Sequence, residues 1–433
     1  MATESLRVAY LVSRYPALSH AFILREVRGL RVRGIAVSVA SINDPDRPAD
    51  RLTDEERDEA AATFYVKRAG WRGVLGALGW AARRPRAAWS ALRYALHLGG
   101  SDLRRVTYGV FYFLEAAILG RWLAARELSH LHVHFATPAA TVGLILTRLA
   151  PITLSLTVHG PDEFYDVPGY RLRDKLEAAA FVLCIGHFAR SQCRLVAPDA
   201  DPAKFEIAPL GVDPAQFAPR PARRPAAPFE ILCVGRLVGA KGQSVLIEAV
   251  DRLTRSGRRV CLRLVGDGPD RDRLQIDVAR RHLADVVVFE GGVAQDHIRA
   301  LYAQADAFAL ASFAEGIPVV LMEAMAMEIP CVTTAITGIP ELIRDGRDGL
   351  LVAPSDVAAL SAALARLIDD PALARRLGAA GRQRVLDAYH LPRNLDRLAG
   401  IFRRRLAAAG VEADDWASGG VDAAIDVPQV RSA

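Results

Sequence analysis

Asp306 to Val352 reads DAFALASFAEGIPVVLMEAMAMEIPCVTTAITGIPELIRDGRDGLLV. Ala307 to Ala311 is a short apolar run, the pattern of a buried strand. A loop with Glu315 and Gly316 follows. Pro318 then stands where a first helical residue is expected, a position at which a missing N–H costs nothing. Val319 to Met327 is apolar on every side except at Glu323, and a helix apolar all round is a buried helix. A buried carboxylate without a partner costs several kcal/mol or more, as an order of magnitude. Glu323 therefore needs either a basic side chain or the hydroxyls of a ligand. Glu315 lies eight residues earlier, about 12 Å if the rise were helical. The two acids cannot share one proton or one metal ion. They can hold two separated parts of one elongated ligand, with a phosphate seated between them on the exposed N–H groups around Ile317 to Val320. The plainer alternative is a buried Glu323–Arg pair and a solvated Glu315.

The chain of 433 residues is 51% hydrophobic, enough for two cores and hence two domains. The net charge is +6, from 55 basic and 49 acidic residues. Lys67 to Arg105 alone holds nine basic residues and one acid, Asp102. Five scattered cysteines with no C-x-x-C pair argue against a disulfide framework or a zinc site and for a reducing compartment. Val8 to Val12 is too short an apolar run for a secretory leader. Val106 to Leu119 is too short for a membrane span and contains Glu115. A cytoplasmic protein is expected.

Read in order, Arg7 to Val12, Ala21 to Arg33 and Ile35 to Ser41 make strand, helix and strand, the unit of a parallel sheet. Asn43 to Asp58, rich in Pro, Asp and Arg, reads as a loop. Its Asp44-Pro45-Asp46 triplet, like Asp199-Ala200-Asp201 and Asp270-Arg271-Asp272, is read as solvated loop acids. The basic stretch fits two helices broken at Pro85. Trp71, Leu75 and Leu78 share one face, and Trp89, Leu92 and Leu96 another. Such faces suit either an anionic membrane surface or packing on the domain. Nothing nearby has the form of a nucleic-acid reader, so no nucleic-acid partner is expected.

His130 to Phe135, Ile152 to Val158, Phe181 to Ile185 and Phe205 to Ala208 read as further strands. His130, His132 and His134 alternate on one face without the geometry of a metal site, and no metal is expected. His159-Gly160-Pro161-Asp162 follows a strand end, where open α/β sheets bind ligands; His159 either meets a ligand there or closes the turn. Leu210 to Pro228 reads as a linker. Strand–helix alternation then restarts at Ile231 to Val234, Val260 to Val265, Val286 to Phe289, Ala307 to Leu310 and Cys331 to Thr334. Gly235-Arg236-Leu237-Val238-Gly239-Ala240-Lys241-Gly242 is neither a P-loop nor a dinucleotide fingerprint. Arg236 and Lys241 are two cations at a strand end, able to clamp a diphosphate or to stand in solvent. Ala409 to Ala433 has the composition of a disordered tail.

With those residues placed, the motifs VGRLVGAKG, GDGP, EGIPVVLMEAMAMEIP and TGIPELIRDGRDGLLV resemble the retaining glycosyltransferases of the GT-B fold, family four in the usual classification. HVHFA, SLTVHGPDEF and APLGVD look like landmarks of its first half. SRYPALSHAFILREVRGL is similar to exopolysaccharide-building and colanic-acid-type members. The fold implied is α/β, with two doubly wound Rossmann-like domains facing each other across a cleft. Residues 1–210 would form the acceptor-binding domain, with a basic helical insertion at about 67–127. Residues 211–228 would link it to a nucleotide-sugar domain at 229–392, and 393–408 would form a helix crossing back. The resemblance implies that Arg236 and Lys241 bind the donor diphosphate, that Glu323 holds the ribose and that Glu315 contacts the transferred sugar. Gly316, Ile317, Pro318 and Val319 would line the donor. His159 would lie near the sugar and the departing phosphate, making His159, Arg236, Lys241 and Glu315 the catalytic set. Ser19, His20 and Asp162 would lie on the acceptor side. The implied reaction is retaining transfer, without metal or cofactor, from a nucleotide sugar to a lipid-linked or polysaccharide acceptor at the inner face of the plasma membrane. Alternatives on the same fold are a nucleotide-sugar epimerase, a soluble disaccharide synthase, or an inactive membrane scaffold. The chain departs from the family at Ser19-His20-Ala21, where Ser-Glu-Thr is usual. Glu328 and Thr337 each stand where a glycine is common.

Overall fold

The computed structural model describes residues 6–219, 228–293 and 295–408, without the side chains of 295 and 296. The first sheet holds β1 (Arg7–Arg14), β2 (Ala36–Asn43), β3 (Phe64–Tyr65), β4 (His130–His134), β5 (Thr153–Val158), β6 (Phe181–Cys184) and β7 (Phe205–Ile207). The second holds β8 (Phe229–Val234), β9 (Val260–Val265), β10 (Val287–Gly291), β11 (Ala307–Leu310), β12 (Cys331–Thr334) and β13 (Leu350–Val352). The orders are β3-β2-β1-β4-β5-β6-β7 and β10-β9-β8-β11-β12-β13, and the paired strands run parallel. Both are doubly wound sheets. Each reverses its strand order once, between β1 and β4 and between β8 and β11. The crevice beyond the strand ends at such a reversal is where a ligand fits.

The strands expected from sequence are present within a residue or two. The edge strands β3 and β13 were not among them, because a pair or triplet of residues carries no period to read. Asn43 to Asp58 is only partly a loop. Asp54–Ala62 is a helix, opened by a reciprocal capping box between Thr53 and Glu56. That signature is written in the sequence but stands in charged surroundings with no apolar stripe. The linker reading meets structure at Val212, which bridges to His390, and at the buried Phe217. Residues 220–227 and the expected tail at 409–433 lie outside the described residues. The Leu391–Ala408 helix buries Leu395, Leu398, Phe402 and Leu406 with Tyr10, Ile23, Val27 and Leu30 of the first half.

The basic stretch forms helices Gly70–Ala82 and Pro85–His97, which pack with each other and on helix Leu103–Ala124. Ala77, Trp80, Ala81, Ala91 and Ala95 face inward. Trp71 and Trp89 face outward, 68% and 67% exposed, as do Leu75 and Leu78. Leu92 and Leu96 are half-buried. All five cysteines are buried free thiols.

Parallel strands covered on both sides are usually apolar throughout. Here one face of β4 carries His130, His132 and His134, all fully buried. The sequence answers them on β5, where Thr153, Ser155 and Thr157 lie opposite in register. His130 meets the hydroxyls of Thr153 at 2.7 Å and Ser155 at 2.8 Å, and His132 meets those of Ser155 at 2.7 Å and Thr157 at 2.8 Å. Glu26, His132 and His134 bring ligand atoms within 4.8 Å of one another. Hydroxyl, carboxylate or imidazole partners already occupy those histidine nitrogens.

Burial lowers the pKa of His130 from 6.5 to about 3 and that of His132 well below 6.5. The unfolded chain binds protons at these rings below about pH 6.5 while the folded one does not, so stability falls as pH falls through that window. Each such ring lowers the unfolding free energy by about 1.4 kcal/mol per pH unit there. Urea unfolding of wild type and His130→Asn should show the acid slope of the variant smaller by about that amount; equal slopes would contradict the account.

Candidate active site

The ends of β8 and β11 flank the reversal point of the second sheet. The segment after β8 carries Arg236 and Lys241, and the segment after β11 carries Glu315. The chain can pass so close here because of Gly242, which sits at φ +64° against the Ala311 carbonyl, where a Cβ would lie 2.0 Å from the oxygen. That approach delivers Lys241 Nζ to Glu315 Oε1 at 2.6 Å, and Ser312 Oγ donates to the same oxygen at 2.7 Å. Glu315 is thus buried and paired rather than solvated. An ammonium has three N–H donors, so Lys241 keeps two beyond this bond. Arg236 is exposed and has no acidic partner among the described residues. Burial lowers His20 to about 4, and the Arg236 charge across the cleft adds to it.

The loop from Glu315 to Pro318 meets the first domain. Gly316 lies so close to the His159 carbonyl that a Cβ there would sit 1.9 Å from the oxygen. Ile317 and Pro318 are buried and Val319 half-buried. The next helix is Val319–Ala326, with Pro318 as its N-cap residue, one position before the expected first turn. His159 is held from behind: Glu163 accepts hydrogen bonds from the backbone N–H groups of Ala136, His159 and Gly160. Lys175 Nζ, fully buried, donates to the Ala136 and Thr137 carbonyls. Ser19 and Asp162 are exposed, and the His20 ring lies 5.0 Å from that of Phe135.

Glu323 is buried and partnered by a basic side chain, one that comes from the other domain. Arg25 donates to Glu323 Oε1 through Nη1 at 3.2 Å and Nη2 at 3.1 Å, and Tyr302 Oη donates to Oε2 at 3.1 Å. Burial nevertheless pushes the Glu323 carboxyl above its ordinary range, against the opposing pull of Arg25 and Tyr302. The carboxylate is only partly compensated. A second acid of the same domain, Glu341, reaches across to accept from His187 N at 2.7 Å and Phe188 N at 2.6 Å, where helix His187–Val196 begins.

The model of the group 1 glycosyl transferases matches residues 216–384. The phosphatidylinositol monomannoside mannosyltransferase of Mycolicibacterium smegmatis, described as GDP-mannose-dependent and alpha-(1-6), is 30% identical over 68% of this chain and 81% of its own. The chain belongs to the group 1 glycosyltransferases. The putative colanic acid biosynthesis glycosyltransferase WcaL of Escherichia coli K12 is 28% identical over 83% of this chain and 90% of its own. Among solved structures, sucrose-phosphate synthase of Thermosynechococcus elongatus superposes with a TM-score of 0.73 at 20% identity, over 93% of this chain and 100% of that one. HepE of Anabaena, in complex with UDP-glucose, superposes at 0.69 and 16% identity, over 92% and 100%. The fold of this glycosyltransferase is GT-B.

Three residues that hold this transferase's site were not singled out from its sequence. Arg25 and Tyr302 look like ordinary helix residues, and their meeting at Glu323 is purely tertiary. Glu163 had a signal, since it follows His159-Gly160 within the quoted SLTVHGPDEF. Two departures from the family pattern acquire a geometry. Glu328 and Thr337 both adopt positive φ, 60° and 43°, where glycine is the unstrained choice. Thr337 repays part of this, because its hydroxyl donates to the Glu315 carbonyl.

Removing Arg25 leaves the Glu323 charge buried. Arg25→Ala should lower the unfolding free energy by about 3–5 kcal/mol. Adding Glu323→Gln should restore most of the loss, because the amide carries no charge to bury. Chemical denaturation of the two single variants and the double variant measures the coupling, and simple additivity would refute it.

Proposed function

We propose that this glycosyltransferase moves a sugar, with retention of anomeric configuration, from a nucleoside diphosphate sugar to a lipid-linked or polysaccharide acceptor in cell-surface glycan synthesis. The observation that carries the reading is the Lys241–Glu315 pair at the reversal point, facing the His159 turn across the cleft. The diphosphate would lie against Arg236, the free N–H groups of Lys241 and the entrance of helix Val319–Ala326. Its ribose would meet Glu323, whose burial is incompletely offset, and its sugar would meet Glu315. The bond between the anomeric carbon and the diphosphate oxygen breaks through an oxocarbenium-like state. The acceptor oxygen attacks the same face and its proton passes to the departing phosphate. Charge growing on that phosphate is met by two fixed cations and a helix entrance, so the reaction needs neither a metal ion nor an enzyme nucleophile. The phosphatidylinositol monomannoside acceptor named for the mannosyltransferase and the colanic acid biosynthesis named for the other relative support a lipid-linked or polymeric acceptor here.

Lys241→Ala should reduce turnover by a hundredfold or more, as an order of magnitude for a lost group that stabilises an oxyanion, with the circular dichroism spectrum unchanged and the melting temperature lowered, because the buried Glu315 loses its partner. A thermal-shift panel of UDP, GDP and their sugars, with NAD as control, should show stabilisation by one nucleotide family. Stabilisation by NAD alone would overturn the assignment.

The acceptor side of this reading is a membrane surface. No helix among the described residues is long and apolar enough to cross a membrane. The outward Trp71, Leu75, Leu78 and Trp89, among Arg72, Arg83, Arg86 and Arg93, instead fit the interface of an anionic bilayer, at about 1 kcal/mol per basic residue near the surface. Flotation with phosphatidylglycerol vesicles should retain wild type and release a Trp71→Ser, Trp89→Ser, Arg72→Glu, Arg86→Glu variant. Equal flotation of the two would remove the membrane from the proposal.

A further inference from the structure

His159 lies at the end of a chain of buried hydrogen bonds that begins far from it in sequence, at Tyr10 on β1. Tyr10 Oη donates to Glu26 Oε1 at 2.7 Å. His134 Nε2 meets the same oxygen at 3.2 Å, and His134 Nδ1 meets His159 Nε2 at 3.1 Å. Tyr10 and His134 are fully buried, and Glu26 and His159 are 7% exposed. The four residues come from β1, helix Ala21–Val32, β4 and the turn after β5.

With Glu26 ionised and His134 neutral, which the proposal includes, counting protons along this chain orders its donors. Burial, with Glu26 beside it, holds the Tyr10 phenol well above its ordinary pKa, so Tyr10 keeps its proton and gives it to Glu26 Oε1. That oxygen accepts twice, and the hydrogen between it and His134 therefore sits on Nε2 of His134. A neutral His134 then has a lone pair on Nδ1 and must accept there. The hydrogen between the two rings belongs to Nε2 of His159. Burial holds His159 well below its ordinary pKa, so its ring has one hydrogen only.

We infer that Glu26 and His134 are positioning residues that lock His159 in its Nε2–H form and leave its Nδ1 as a fixed hydrogen-bond acceptor. This Nδ1 has no hydrogen-bond partner among the described residues. Among the described residues, the polar side-chain atoms sealed from solvent without a partner are His20 Nδ1, Trp80 Nε1 and Trp122 Nε1; His159 Nδ1 is not one of them, and its residue is 7% exposed. An acceptor cannot bond to an anionic phosphate oxygen, which has no hydrogen to give. It can bond to a sugar hydroxyl. The relay therefore assigns His159 to a hydroxyl of the transferred sugar and leaves the departing phosphate to Arg236 and Lys241. This inference rests on the transferase reading for its ligand, while the ring tautomer does not depend on it.

Ring-nitrogen NMR of protein labelled with nitrogen-15 histidine, assigned by single histidine replacements, tests it. In wild type, His159 and His134 should each show a protonated Nε2 and an unprotonated Nδ1. In Glu26→Ala, the oxygen that faces both Tyr10 Oη and His134 Nε2 is gone, so neither ring is held and both should switch from one tautomer to a mixture of Nε2–H and Nδ1–H forms. Turnover of the donor sugar should then fall about ten- to a hundredfold, with KM for the acceptor unchanged and Glu26→Asp recovering most of the rate. A wild-type His159 protonated at Nδ1 overturns the relay, and needs no variant to be seen. A switched tautomer with unchanged kcat overturns its role in turnover. The expected wild-type spectrum with no transfer from any nucleotide sugar supports the relay and sinks the transferase reading instead.

Discussion

A carboxylate taken out of water has to be answered, and in this protein the answers cross the cleft. Glu323 belongs to the second domain and takes its guanidinium from Arg25 of the first. Glu341 belongs to the second and takes the first two amides of helix His187–Val196 in the first. Each bond ties the relative placement of the domains to the electrostatics of a buried acid. The site between them inherits that placement. With Arg25 and Tyr302 on Glu323, burial still raises the carboxyl above its ordinary range.

The second constraint is steric. The Glu315–Pro318 loop can touch the His159 turn because Gly316 presents no side chain to the His159 carbonyl. A larger residue would push apart the cationic loop on one sheet and the histidine turn on the other. The backbone carries cost at Thr337, beside this contact, and at Glu328, beyond the far end of helix Val319–Ala326, of the order of 1–3 kcal/mol for each residue in the left-handed region. At Thr337 that geometry lets the hydroxyl hold the Glu315 carbonyl. One place where this chain leaves the family pattern is therefore a place that holds the Glu315 backbone.

Polar groups buried away from the cleft follow the same logic as those within it. The histidines of β4 are tolerated because β5 supplies a hydroxyl opposite each of them. Only the last, His134, breaks the ladder, turning instead to Glu26 and His159. The change of partner happens where β4 reaches the crevice, so a structural ladder becomes a link to the site at one residue.

Much of this was legible in one dimension. Apolar runs of four to eight residues separated by helix-length segments dictate two parallel sheets, and local motifs placed Arg236, Lys241, Glu315 and His159 at strand ends. The lone acid in the apolar helix at 323 announced a buried charge in need of a partner. The amino-acid order could not say which partner, because Arg25 is 298 residues away and nothing in its own helix marks it. Nor could it say which way Trp71 and Trp89 face, since an amphipathic stripe reads the same against a core or a membrane. Local structure follows from spacing along the chain. The pairing of Arg25 with Glu323, the contact of Gly316 with His159 and the proton order through Glu26 and His134 follow from how the domains meet, and only the folded chain decides that.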